Sequence, residues 1–197
     1  MSTPLTRALA RLGRDLHGRG WLPATSGNLS ARLENGHIAI SASGLHKGRI
    51  RPRDFLEVDL QGAPVADPRR PSAETLLHVE RYRADSTIQA VIHVHTPYAT
   101  VLSRRATGPL RLEGYEILKA FPGVRTHESA LEVPVFDNDQ DMTRLSAKVA
   151  AYQPTTPFYG YLIAGHGLYT WGASVDDALR HAEAYDFLFH CTLLSRP

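Results

Sequence analysis

A chain of 197 residues, 43% hydrophobic and 21% charged, has the size and composition of a soluble protein with one sizeable core, so residues 1–197 read as one domain. The formal charge of +2 and the scattered arginines leave no footprint for nucleic acid; Arg51-Pro52-Arg53 and Arg69-Arg70 are solvated loop charges. A single cysteine, Cys191, excludes an internal disulfide framework and a cysteine-based zinc site. Arg7, Arg11 and Arg14 interrupt any signal-peptide core, and no apolar run reaches membrane-spanning length. The cytoplasm is therefore the expected compartment.

Taken in chain order, helical apolar spacing predicts a first helix from Leu5 to about His17, ending at Gly18 and Gly20. Strands follow at Asn28 to Leu33 and His37 to Ser41, joined through Asn35-Gly36, which signals a type I′ hairpin. Phe55 to Leu60 alternates as a strand. Ser72 is the expected N-cap of a helix from Ala73 to about Arg83. The strand Ala90 to His95 precedes a helix around Ala99 to Arg104 and a short one over Tyr115 to Ala120. Leu131 to Phe136 is a strand whose Pro134 suggests an edge or bulge. A helix over Asp141 to Tyr152 and strands at Tyr159 to Ala164 and Gly167 to Trp171 come next. Ser174 and Asp177 then form a capping pair for a helix to about Leu194. Alternating strands and helices together with tight hairpins imply a mixed sheet covered by helices on both faces. The final helix is apolar on more than one stripe, so it is buried on two sides, within the fold or against another subunit.

The run Ala90-Val91-Ile92-His93-Val94-His95 carries the most chemistry. In a strand, His93 and His95 project to the same face, where a divalent metal would account for two imidazoles. His166, between Gly165 and Gly167, offers a third ligand, and three histidines with an open position describe a catalytic metal site. Two core histidines and an unrelated loop histidine are the alternative. Ser26-Gly27-Asn28 and Ser43-Gly44 place hydroxyls and glycines at strand ends, where backbone amides form anion nests. Ser72 at a helix start and Lys47 add donors. Each of these also serves as an ordinary turn or cap. Glu74, four residues before His78, and Glu116 are the candidate acid/base carboxylates.

Longer segments extend the pattern: Trp21-Leu22-Pro23-Ala24-Thr25-Ser26-Gly27-Asn28-Leu29-Ser30, Pro71-Ser72-Ala73-Glu74-Thr75, His93-Val94-His95-Thr96-Pro97, Gly114-Tyr115-Glu116-Ile117-Leu118-Lys119 and Gly165 to Gly172. Together, over nearly the whole chain, they resemble the class II aldolase/adducin family. The Trp-Leu-Pro-Ala-Thr and Tyr-Glu-Ile-Leu-Lys segments resemble its dehydratase branch in particular. The resemblance implies an α/β three-layer α/β/α fold around a central mixed, largely antiparallel sheet, assembled as a homotetramer with sites near subunit interfaces. It implies one zinc ion per subunit on His93, His95 and His166. It also implies a phosphorylated ketose whose phosphate is held by Ser26, Gly27, Asn28, Ser43, Gly44, Lys47 and Ser72. In aldolase relatives the acid/base matches Glu74 and in dehydratases it matches Glu116; this chain carries both, and the dehydratase-like segment favours Glu116. The implied activity is loss of water from the ketose phosphate. An aldolase or epimerase acting on another sugar phosphate is the alternative, and a non-catalytic adducin-head-like module would lack the metal histidines.

Overall fold

The central strand sorts the molecule into layers. In the computed structural model, which describes residues 2–154 and 156–195, β4 (Ala90–Val94) is buried along its whole length. Ala90, Ile92 and Val94 face one core, shared with α1 (Pro4–Gly18), α3 (Pro97–Arg105) and α5 (Val175–Ser195). Val91 faces the other, shared with α2 (Thr75–Ala84) and α4 (Met142–Ala151). His93 has the phase of Val91, so strand geometry alone turns it toward α2.

On one side of β4 lie β1 (Asn28–Arg32), β2 (Ile38–Ser41) and β3 (Phe55–Val58). On the other lie β9 (Gly167–Gly172), β8 (Gly160–Ile163) and the short β7 (Val135–Phe136). The seven-stranded order is β3-β2-β1-β4-β9-β8-β7, antiparallel throughout except for the parallel pair β7–β8. This is the expected three-layer α/β/α arrangement with a mixed, largely antiparallel sheet. Among the described residues no helix is long and apolar enough to cross a membrane.

Several local expectations need correction. Between β1 and β2 a positive φ occurs at Gly36 (+84°) and not at Asn35, and the Gly36 amide donates to the Leu33 carbonyl at 2.9 Å. The connection is thus a three-residue loop with glycine in the left-handed position, not a two-residue type I′ turn. Ser72 does not cap α2, which begins at Thr75 after Glu74; Ser72 instead opens a turn in which its carbonyl accepts from the Thr75 amide. The run Leu131 to Phe136 is two strands. Its first half, β6 (Ala130–Val133), pairs with β5 (Leu110–Glu113) in a separate two-stranded sheet, whose strand β5 is too short to show in the sequence pattern. The chain then changes sheets at Pro134, which has no N–H to continue the ladder. The segment expected as a helix over Tyr115 to Ala120 is a 3₁₀ turn, Glu116–Ala120.

The long α5 begins as expected, with the Asp177 amide donating to the Ser174 hydroxyl at 3.0 Å. Ala178, Ala182, Tyr185, Leu188 and Phe189 are buried, while Phe187 stays 54% exposed. Gly36→Ala forces a Cβ into the left-handed region and should lower stability by about 1–2 kcal/mol in urea unfolding. Glu34→Ala, at a position of ordinary φ, should be nearly neutral.

Candidate metal centre and phosphate cleft

His93 is held in β4 with its Nδ1–H donating to the Leu168 carbonyl at 3.0 Å, so its Nε2 carries the lone pair. Tyr169 stacks on the ring at 3.9 Å between centroids and fixes its plane. Opposite, Gly167 lets β9 pass close by, because a Cβ there would fall 2.3 Å from the Val94 carbonyl oxygen. His95 lies just past the end of β4, tied by its amide to the Trp21 carbonyl at 2.9 Å. His166 sits in the turn between β8 and β9, and its carbonyl accepts from the Thr100 hydroxyl at 3.0 Å. The Nε2 of His93 is 2.9 Å from that of His95 and 3.3 Å from that of His166. In this way the sheet brings together the expected trio.

Glu74, at the foot of α2, completes the group, with carboxylate oxygens 3.3 Å from His93 Nε2 and 3.2 Å from His166 Nε2. Burial works to raise the Glu74 carboxyl. Positive charge held among the facing His93 and His166 nitrogens, whether a proton or a metal ion, outweighs that together with donation by Asn28 and holds it well below the usual carboxylate range. Burial pushes His93 well below the ordinary imidazole value and His95 down to about 4, so near neutrality these rings are uncharged. Uncharged lone pairs and an anion facing one another repel unless a cation lies among them, so the donor set fits a divalent metal. A nitrogen–metal distance of about 2.0–2.1 Å sets tetrahedral ligands roughly 3.4 Å apart, near the separations found. The His166 Nδ1 is buried without a partner among the described residues, so no second hydrogen bond fixes that ring.

A cleft of about 320 Å³ opens beside the histidines. Its walls include Ser26, Gly27, Asn28, Ser43, Gly44, Lys47, Ser72, Glu74, His95 and His166, so the three separate loops and the metal centre share one space. Gly27 (φ +68°) has to be glycine: a Cβ would fall 2.1 Å from Leu22 and 2.7 Å from the His93 carbonyl oxygen. Lys47 is 2% exposed and donates to the carbonyls of Thr25 (3.1 Å) and Leu45 (2.9 Å). An ammonium has three N–H bonds, so one remains for the cleft. Burial lowers this group to about 8.

The nests are built differently from the sequence expectation. The amides of Ser26, Ser43 and Ser72 are used inside the fold, donating to Pro23, Arg70 and Ser41 carbonyls. The Asn28 side chain also turns inward. It donates to Glu74 at 2.7 Å and to Ser72 at 2.9 Å, while its oxygen meets His78. The participation of His78 was not foreseen, although its spacing from Glu74 was visible. Glu116 is not brought to the histidines of its own chain. Its side chain is 71% exposed and paired with Lys119, beside Ile117 and Phe187 on the outer surface.

If these histidines hold the metal, His95→Ala should lose most bound metal while remaining folded. Full occupancy by elemental analysis of that variant would rule out the three-histidine site.

The family model described as "Class II Aldolase and Adducin N-terminal domain" matches residues 7–193. The chain is 54% identical over 187 residues to a methylthioribulose-1-phosphate dehydratase of Methylococcus capsulatus, covering 93% of this chain and 91% of that protein. It is 52% identical over 194 residues to the enzyme of the same name from Pseudomonas syringae pv. syringae, covering 98% and 95%. Among solved structures, an L-fuculose 1-phosphate aldolase superposes with a TM-score of 0.81 at 25% identity, covering 99% of this chain and 87% of that one. The match spans both faces of the sheet and every loop of the cleft, and the chain belongs to the class II aldolase and adducin N-terminal domain family.

Proposed function

We propose that this chain dehydrates 5-methylthioribulose 1-phosphate to 2,3-diketo-5-methylthiopentyl 1-phosphate, the dehydration step of methionine salvage. The single observation that carries this reading is the cleft. It gathers three imidazoles, a carboxylate, a buried ammonium and three hydroxyl-bearing loops within reach of one small molecule. Extensive identity with dehydratases of that name supports the choice of substrate.

His93, His95 and His166 would hold the metal, zinc in this reading, one per subunit. Bound there, the ion supplies Lewis acidity that polarises the ketose carbonyl and its neighbouring hydroxyl. The phosphate lies toward Ser43, Gly44, Ser72, Lys47 and the Ser26-Gly27-Asn28 loop. Amides of Gly27, Gly44 and Ala73, which have no partner among the described residues, donate to it along with the Lys47 ammonium. A carboxylate removes the C3 proton, giving an enediolate; the C4 hydroxyl then leaves as water once protonated. The resulting enol tautomerises to the diketone.

We assign the proton transfer to Glu116, acting in the cleft of a neighbouring subunit of a homotetramer. Its exposure beside Ile117 and Phe187, an apolar surface suited to contact with a second copy, supports this assignment. Glu74 then serves as the resident carboxylate beside the imidazoles. Aldol cleavage of a sugar phosphate is the second reading, favoured by the direct contact of Glu74 with His93 and His166 and by the likeness to an aldolase structure. In both readings the protein works in the cytoplasm.

Product analysis on methylthioribulose 1-phosphate tests the assignment: the diketone supports it, and aldol fragments replace it with the second reading. Glu116→Gln should lower turnover by about two to four orders of magnitude with metal retained. Mixed oligomers of Glu116→Gln and His95→Ala subunits should regain activity that neither has alone. A crippled Glu74→Gln beside a nearly normal Glu116→Gln reverses the roles.

Lys47 sets a pH dependence. Its ammonium is present below about 8 and lost above it, so KM for the phosphorylated substrate should rise as pH climbs past that value. Lys47→Met should raise KM about tenfold, the effect of losing a hydrogen bond to a charged group, and flatten that limb. An unchanged alkaline limb in this variant would exclude Lys47 as the phosphate donor.

A further inference from the structure

A line of buried polar groups runs from the cleft into the core between the sheet and α2, and the proposed chemistry uses only its outer end. Asn28 and Ser30 are two apart on β1 and share a face; Glu74, His78 and Tyr82 are spaced by four along the stripe of α2 that meets that face. The side chains interleave. Asn28 Nδ2 is 2.7 Å from Glu74 Oε2 and 2.9 Å from Ser72 Oγ. Asn28 Oδ1 meets His78 Nε2, His78 Nδ1 is 2.7 Å from Ser30 Oγ, and Ser30 Oγ is 2.8 Å from the Tyr82 hydroxyl. Ser30 and His78 are fully buried.

The direction of every link follows from the carboxylate. Asn28 Nδ2 lies within donating distance of both a Glu74 carboxylate oxygen and the Ser72 hydroxyl, so the amide turns its NH₂ outward and its oxygen inward. That oxygen needs a donor, which makes His78 Nε2 the protonated nitrogen. The neutral ring then has a lone pair on Nδ1, the Ser30 hydroxyl donates to it, and Tyr82 donates to Ser30. Reversing the Asn28 amide would set its oxygen against Glu74 and leave two acceptors facing each other without a proton.

We infer that His78 is a positioning residue whose Nε2–H holds the Asn28 amide oxygen and so aims the Asn28 NH₂ at both Glu74 and Ser72. One amide thereby links the carboxylate beside the imidazoles to a loop of the phosphate cleft, and His78 locks that amide. The inference rests on the reading of Glu74 and Ser72 as parts of the site. Groups that orient residues of a metal site typically affect activity by about 10- to 100-fold.

A double-mutant cycle with a spectroscopic readout tests it. His78→Leu should lower kcat/KM on methylthioribulose 1-phosphate by about 10- to 100-fold. His78→Gln, which keeps a donor toward Asn28, should recover most of the loss. In an Asn28→Ala background, His78→Leu should change kcat/KM by less than about twofold, because its effect passes through Asn28. An equal loss in both backgrounds, or a Gln variant as impaired as the Leu variant, overturns the inference in favour of a merely structural histidine. Long-range ¹H–¹⁵N spectra of the native protein decide independently of any substrate. His78 should be the neutral Nε2–H tautomer, and an Nδ1–H tautomer would reverse the line and overturn the assignment. If the native protein does not dehydrate this substrate, the functional reading fails, and the tautomer alone decides the role of His78.

Discussion

Repulsion within the candidate metal centre is the constraint on which the rest of this structure depends. His93 Nε2 lies 2.9 Å from His95 Nε2, 3.3 Å from His166 Nε2 and 3.3 Å from the Glu74 carboxylate, and burial keeps His93 and His95 uncharged near neutral pH. Such a group does not assemble of its own accord; surrounding hydrogen bonds and packing impose it. The Leu168 carbonyl fixes His93, the Trp21 carbonyl holds the His95 backbone, and Asn28 holds Glu74. These partners lie on different parts of the chain, and the antiparallel ladder β1-β4-β9 is what makes them neighbours.

Close approach of backbone to backbone is the second requirement, and it explains two glycines. Gly27 and Gly167 flank β4 on opposite sides, and at each a Cβ would collide with a carbonyl oxygen of that strand. The flanking strands can therefore press against the histidine segment without pushing it aside. A side chain at either place would collide with a β4 carbonyl oxygen, 2.7 Å away at Gly27 and 2.3 Å away at Gly167, and push the histidine segment out of place. These glycines shape the histidine cluster although neither offers a ligand.

Period-2 alternation and helical spacing made most of the fold legible, because each pattern reports one buried face. They fail where the pattern is short or changes partner. Leu110-Arg111-Leu112-Glu113 alternates for four residues only, too few to stand out. Leu131 to Phe136 is apolar apart from Glu132, and periodicity does not record that the chain leaves one sheet for another at Pro134. In the site, the phase of His93 and His95 was readable from the strand itself. The third histidine stood out only through its glycine neighbours and the family resemblance. Ser72 was read as a cap because hydroxyls favour helix starts, yet its oxygen accepts from Asn28, a partner 44 residues away that no local rule anticipates. Glu116 illustrates a further limit: a motif marks the residue, but its place depends on which surface it meets.

The arrangement of Asn28 bears on how binding and chemistry are joined. Its amide has two N–H bonds, and the structure directs one toward Ser72 and the other toward Glu74. A phosphate drawing on Ser72 would therefore perturb the same amide that steadies the carboxylate. Coupling of this kind needs no moving domain, since a planar amide transmits a small rotation at one edge to the other. It also accounts for the depth of the polar line. A surface asparagine would relax by turning to water, whereas here the oxygen is fastened to His78 inside the core, so rotation of the amide has to be shared with groups that are themselves locked by packing.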